Sequence, residues 1–319
     1  MTTAAEPVAR PVSSHRTRLA APGDFVPEAD YFDAVRPGFG RESIDLAIGP
    51  IVFRLESLSI AQVDDLRAKF RPFVQTRTSA PRPDLRVRLC PAGRDAFLRL
   101  RPGVAEIYRM GSRVRGGARD FWSYEFAGTL EVAAWTAELA LVESSGPLFH
   151  RGLENYMRTL TASFILGRGG LLLHGCGVVR GGKAYVFFGP SGSGKTTVTA
   201  LSPNDIVLSD DLTLIVPTER GFEAAGIPFG MAHHHVPDTH RSFPIASLNR
   251  LVQSQEVRRS PISGARALAE LSASLPFVME FPGDASRAMM NVDRLLRAVP
   301  AFRLLFRRDG AFWDVTEEA

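Results

Sequence analysis

The sequence predicts an α/β chain, α+β overall, in which a strand-rich N-terminal part precedes a domain built around a glycine-rich loop. Three observations carry this. Residues 29–150 hold short alternating or β-branched runs punctuated by Gly, Pro and Asp. Residues 150–170 carry one apolar stripe at helical spacing. From residue 171, short buried-looking strand runs flank Gly-Pro-Ser-Gly-Ser-Gly-Lys-Thr-Thr at 189–197.

Residues 1–28, rich in Pro, Ser, Ala and Arg, read as a flexible arm. In the strand-rich part (29–150), strands are predicted at Ser43–Ile48, Ile51–Leu55, Leu85–Leu89, Ala96–Leu100, Glu106–Met110, Trp122–Phe126 and Gly128–Val132. Ile60, Val63, Leu66 and Phe70 predict a helix over Ser59–Phe70. A third region, 151–319, opens with the helix on which Leu153, Tyr156, Met157, Leu160, Phe164 and Ile165 share a face, ended by Gly167, Gly169 and Gly170. Strands follow at Leu171–Leu173, Ala184–Phe188, Asp205–Leu208 and Leu212–Val216. Helices are expected over Ser263–Ser274, with Ser263 as N-cap, and over Ala285–Val299. A closing hairpin is expected from Phe302–Phe306 and Ala311–Val315.

Composition narrows the function. The 319 residues are 45% hydrophobic and 23% charged, with a net charge of +4 and two cysteines, Cys90 and Cys176. Two cysteines make neither a disulfide framework nor a Cys-rich zinc site. No window approaches 18 uninterrupted apolar residues, and the N-terminus has no apolar core, so neither a membrane span nor a secretory signal is expected. A reducing cytoplasm is the expected compartment. The arginines are scattered among acids and no basic run of 5–8 residues occurs, so nucleic acid is not an expected partner. Only Lys69, Lys183 and Lys195 are lysines; the other 35 basic residues are arginine. In such a chain a lysine inside a glycine-rich loop marks a place where a compact ammonium serves and a planar guanidinium does not.

Gly189–Thr196 fits G-x-x-x-x-G-K-[ST], the pattern of a loop that cradles nucleotide phosphates. Gly189, Gly192 and Gly194 permit backbone angles that let several amides converge on phosphate oxygens, and the following helix adds positive partial charge. Lys195 can sit between the β- and γ-phosphates, and Thr196 offers a hydroxyl to Mg²⁺. Pro190, Ser191, Ser193 and Thr197 complete the expected nucleotide-contacting set. Asp210 and Asp211 fall at a strand end 15 residues after Lys195, so the intervening helix is short. One of the two carboxylates can hold the metal while the other takes a proton from an attacking hydroxyl. His174, at the end of the strand before the loop, could orient a carboxylate or shuttle a proton. No LSGGQ-like and no NKxD-like segment is present, which speaks against a transporter ATPase and a typical GTPase.

Taken together, Leu-Leu-Leu-His-Gly at 171–175, the loop at 189–197 and Ser-Asp-Asp at 209–211 resemble the catalytic domain of HPr kinase/phosphorylase. The Gly-Lys-Thr-Thr ending and the short distance to the Asp pair resemble phosphoenolpyruvate carboxykinase, of the same fold group. Leu153–Arg158 leading into Gly169–His174 is similar to the HPr-kinase-related proteins. The resemblance implies a domain of that fold and an ATP-dependent kinase. It implies Lys195 and Thr196 on ATP and Mg²⁺, Asp210 or Asp211 as metal ligand and base, and His174 as a supporting catalytic group. The acceptor would be a hydroxyl, serine being expected, on a protein, peptide or small molecule. A nucleotide-binding regulatory or scaffold protein without phosphotransfer is the alternative, and a homo-oligomer is compatible with either.

Three further features invite a functional reading. His233, His234, His235, Asp238 and His240 could bind a metal, contact substrate or form a solvated turn. Arg258 and Arg259, expected in a strand, could reach a phosphate late in its transfer. Cys176 reads as a small buried residue beside His174.

Overall fold

The structure, a computed structural model, describes residues 27, 29–75, 83–92, 110–229, 241–277 and 282–317. The arm, the expected strand at Ala96–Leu100, nearly all of Glu106–Met110 and the His233–His240 cluster lie outside the described residues. The fold is mixed α/β with two sheets. Contacts divide the chain into two units: residues up to Ser43, Leu55–Gln62 and Leu85–Tyr156 form the first, and Ile44–Arg54, Val63–Asp84 and Met157–Ala319 form the second. Among the described residues, no helix is long and apolar enough to cross a membrane.

The chain opens with α1 (Ala29–Asp33), β1 (Glu42–Ile48), β2 (Ile51–Leu58) and α2 (Ile60–Lys69). The start of α2 is set by a capping box. Ser59 Oγ accepts from the Gln62 amide, and Gln62 Oε1 accepts from the Ser59 amide. In the first unit β3 (Leu85–Pro91), β4 (Gly111–Arg115), β5 (Ala118–Trp122), β6 (Phe126–Glu131) and β7 (Thr136–Leu141) lie in the order β3-β7-β6-β5-β4. All these neighbours are antiparallel except β3 and β7.

Two sequence expectations need correction here. The strand expected at Trp122–Phe126 is the turn between β5 and β6, closed by the Ser123 amide on the Phe126 carbonyl. Its residues are buried, Ser123 and Glu125 among them, and its alternating aromatics Trp122, Tyr124 and Phe126 read as a strand. The strands β4 and β7 went unforeseen, as did β5 apart from its last residue, Trp122. In β4 the alternating Arg113 and Arg115 look solvated, yet both pair with the fully buried Asp120, at 2.9 and 3.1 Å. β7 is written in Ala, Glu and Leu, which favour helix in isolation and yield here to sheet pairing.

The helix α3 (Gly146–Gly167) starts four residues earlier than its apolar stripe predicts and ends at the expected glycine. The second sheet then begins with β8 (Leu171–Arg180), β9 (Lys183–Phe188), β10 (Ile206–Ser209), β11 (Leu212–Thr218) and β12 (Gly221–Ala225). It is completed by β13 (Ser242–Gln253), β14 (Arg258–Pro261) and β15 (Ala301–Phe306). Helices α4 (Lys195–Ala200), α5 (Gly264–Ser272), α6 (Pro282–Ala298) and α7 (Phe312–Glu317) accompany it. β8 is paired antiparallel on both edges: Leu171–His174 with β11 and Gly177–Val179 with β10 on one, Gly175–Arg180 with β9 on the other. β9, β13 and β15 are parallel neighbours, with Phe188 opposite Arg250 and Leu251 opposite Leu304.

Ser263 is the N-cap of α5 as expected, although its hydroxyl makes no cap hydrogen bond. The expected hairpin at the C-terminus is instead β15 followed by the helix α7. Phe312, Trp313 and Thr316 share one helical face and are buried. Asp309 accepts from the Ala311 amide at 3.2 Å ahead of the first turn. Phe312 and Trp313 join Cys176, Val178, Phe187, Val198, Leu251, Leu304 and Phe306 in one core, and the Trp313 indole donates to Ser202 at 3.1 Å.

Phe187 is fully buried and meets Phe312 and Trp313 edge-on at 6.0 and 5.7 Å. Phe187→Ala is therefore expected to cost about 3–5 kcal/mol, read as a lower denaturant midpoint in tryptophan-monitored unfolding.

Candidate functional site

The site lies at the carboxyl ends of three parallel strands, where an open sheet with crossover connections offers a crevice. β9 ends at Phe188 and delivers the glycine loop, β13 ends at Gln253, and β15 ends at Phe306, two residues before Arg308. A cavity of about 360 Å³ opens there, lined by His174, Ser191, Gly192, Gly194, Lys195, Thr196, Thr197, Asp210, Asp211, Gln253 and Arg308.

The loop geometry follows from its glycines. Gly189, Gly192 and Gly194 have φ of +153°, +76° and +109°. At Gly194 a Cβ would also stand 2.3 Å from the Phe306 ring, so both backbone angle and packing require glycine. Lys195 begins α4 and folds its ammonium back onto the loop, donating to the carbonyls of Gly189 at 2.9 Å and Pro190 at 3.3 Å. Burial moves its pKa below the ordinary lysine value, against the nearby Cys176 and Asp211, which raise it. Ser193 is buried in the loop and its hydroxyl has no hydrogen-bond partner. Gln253 Nε2 donates to the Gly192 carbonyl at 2.6 Å and ties the loop to the end of β13.

The acidic side is placed by β10 and β11, which pair in succession along one edge of β8 with Asp210 and Asp211 between them. Leu212 pairs with His174, and the Gly175 amide donates to the Asp211 carbonyl at 2.9 Å. Ser209 Oγ accepts from the amides of Asp211 and Leu212 at 3.2 and 3.0 Å and fixes the turn that carries the two aspartates. His174 Nε2 stands 3.2 Å from Asp211 Oδ1. Burial pushes the Asp211 carboxyl up. The hydrogen bond and charge of His174, then the charges of Arg158 and Lys195, outweigh that and hold it below the usual aspartate value. The buried Arg158 of α3 donates through Nε and Nη2 to the Phe229 carbonyl.

The residues expected from sequence thus divide. His174, Ser191, Gly192, Gly194, Lys195, Thr196, Thr197, Asp210 and Asp211 line the cavity. Gly189 and Pro190 hold the Lys195 ammonium from behind, and Ser193 lies inside the loop. Arg258 and Arg259 are not among the lining residues. Arg259 bonds Asn249 and the Thr316 carbonyl and stacks 3.5 Å from the Phe302 ring, which is a packing role. Cys176 lies under α4, its sulfur 3.5 Å from the Lys195 carbonyl, and burial pushes the thiol up to about 12, so it stays protonated. Sequence reading missed Gln253 and Arg308. Gln253 is the last residue of β13 and Arg308 lies two residues past β15, both distant in sequence from the loop and without a local motif. What they share is the carboxyl end of strands that run parallel to β9 or to its neighbour.

The aspartates and the Thr196 hydroxyl suit an ion completed by phosphate and water rather than a closed protein cage. Among the described residues no group of three or more His, Cys, Asp or Glu could hold a metal alone.

Residues 161–319 match the family of the SynChlorMet cassette protein ScmC. This match corrects the resemblance to HPr kinase/phosphorylase, because no kinase family is indicated. The segments that carried that resemblance are short phosphate-site pieces, and such pieces recur on unrelated proteins. The match spans one continuous stretch that includes 171–175, 189–197 and 209–211 and begins after Leu153–Arg158. No curated protein matches the chain.

Two outcomes test this geometry. Gly194→Ala is expected to misplace Phe306 and the loop, seen as a lower melting temperature. His174→Ala removes the largest influence that lowers the Asp211 pKa, so the carboxyl titration followed by carbon-13 NMR is expected to move upward. Because the native pKa is depressed, the Asp211 carboxylate favours the fold above the unfolded-state pKa of about 3.8. That contribution fades as pH falls through the native value, and it is smaller in the variant.

Proposed function

We propose that the chain is an ATP-dependent phosphotransferase that moves the γ-phosphoryl group to a hydroxyl, serine being the expected acceptor. The observation that carries this reading is the joint lining of one cavity by the phosphate-type loop with its buried Lys195 and by the His174–Asp211 pair. A loop without the acids would suit binding alone.

The fit of a nucleotide is supported by the loop itself. Gly192 has open space around it, the Ser193 hydroxyl is buried without a partner, and the Lys195 ammonium rests on carbonyls that phosphate oxygens can replace as partners. The loop amides and Lys195 would bind the β- and γ-phosphates. Thr196 and Asp210 would hold Mg²⁺, which when bound draws charge from the phosphate oxygens. Asp211 would accept the proton of the attacking hydroxyl. The new O–P bond forms as the bond from the γ-phosphorus to the β,γ-bridging oxygen breaks, and ADP leaves. Its lowered pKa keeps Asp211 ionised at neutral pH, and His174 sets the direction of its free oxygen. A supply of ATP fits a cytoplasmic setting.

Lys195→Ala is expected to lose ATP affinity by at least tenfold in calorimetry. Asp211→Asn is expected to bind ATP yet lose transfer by about 10²–10⁴-fold. The readout is phosphopeptides formed from γ-labelled ATP in extracts of the source cell. Equal labelling by wild type and Asp211→Asn would overturn the reading, and binding without transfer by wild type would favour a regulatory nucleotide-binding protein.

A further inference from the structure

The cavity has two chemically different sides. Across the sheet the order is β11, β8, β9, β13, β15, with the loop after β9 in the middle. His174 and Asp211 come from the β8–β11 side. Gln253 and Arg308 come from the β13–β15 side and add an amide and a cation. The two sides are separated by three strand spacings, roughly 14 Å from β8 to β15. A lone phosphate group does not fill that span, whereas a nucleoside with its phosphate chain reaches along it.

Arg308 is exposed and lines the cavity and forms no ion pair among the described residues, whereas its neighbour Arg307 pairs with Asp309 at 2.8 Å. Gln253 is already engaged by the Gly192 carbonyl, which leaves Arg308, among the described lining residues of that side, as the planar group open to a ligand.

We infer that Arg308 reads the nucleoside end of the bound nucleotide, its guanidinium lying against the base or ribose. This rests on the phosphotransferase reading above. Transfer to a hydroxyl whose proton goes to Asp211 requires the γ-phosphoryl at the β8–β11 side. The loop and Lys195 take the middle of the phosphate chain, so the α-phosphate and nucleoside leave toward β13 and β15. A guanidinium is weakly hydrated and stacks on aromatic faces, which suits an exposed position over a base. Arg308 therefore contributes to nucleotide affinity and to preference for nucleotide over bare polyphosphate, and not to the transfer step.

The test compares ATP with inorganic tripolyphosphate by titration calorimetry on the full chain with Mg²⁺. Wild type is expected to bind both, ATP more tightly. Arg308→Ala is expected to weaken ATP by about tenfold and to leave tripolyphosphate within twofold. Circular dichroism checks that the variant is folded, which its surface position favours. Equal weakening of both ligands would overturn the inference by placing Arg308 on the phosphate chain, and unchanged affinity for both would overturn it by removing Arg308 from the site. Lys195→Ala, run in parallel, is expected to weaken both ligands. If wild type binds neither, the nucleotide reading of the loop fails, a result separate from either outcome for Arg308.

Discussion

The second unit is organised by β8, which is paired along both edges. On one edge Leu171–His174 takes β11 and Gly177–Val179 takes β10, and on the other Gly175–Arg180 takes β9. At its middle, His174 faces the start of β11 and Gly175 faces Phe188, the last residue before the loop. Backbone bonding thereby brings the histidine, the aspartate turn and the loop to one place before any side-chain interaction among them is considered. Thr213, which donates to the Gly175 carbonyl at 2.8 Å, and Ser209, which closes the turn, hold the junction.

The loop is rigid for reasons that lie beneath it. Phe306 abuts Gly194, and Phe306 belongs to the core that joins α4, α7 and the parallel strands. Lys195 is held on two carbonyls of its own loop, and Gln253 fastens Gly192 from the next strand. Such a loop presents its amides with little reorganisation, which is what an electrostatic binding site requires. The core residue Cys176 shows the contrast. It lies beside the lysine backbone, but burial keeps its thiol protonated, so it acts as packing.

Strands and helices with a strong period were legible in the sequence, and those that depend on partners were not. β1, β9, β11 and α2 match their apolar patterns, whereas β8 runs to Arg180, well past the Leu171–Leu173 run. β4 hides because its arginines are balanced by a buried Asp120, and β7 hides because Ala and Glu carry no strand preference of their own. The final segment reads as a strand until Phe312, Trp313 and Thr316 find a common core face, which selects helix. The triplet of short motifs likewise picked out residues that line one cavity, whereas the family it suggested was overturned by the match along residues 161–319.

The sequence by itself determined the loop, because glycines at 189, 192 and 194 and a lysine at 195 express local backbone and charge demands that no distant residue needs to complete. It also determined the candidate acids, since Asp210 and Asp211 follow the loop at a spacing that only a short helix can bridge. Tertiary structure alone decided that His174 touches Asp211 and that Arg259 packs on Phe302 instead of facing the cavity. It also decided that Gln253 and Arg308 share the site. These are outcomes of which strands lie side by side, and strand pairing is set by burial over the whole sheet rather than by the residues on either side of a motif.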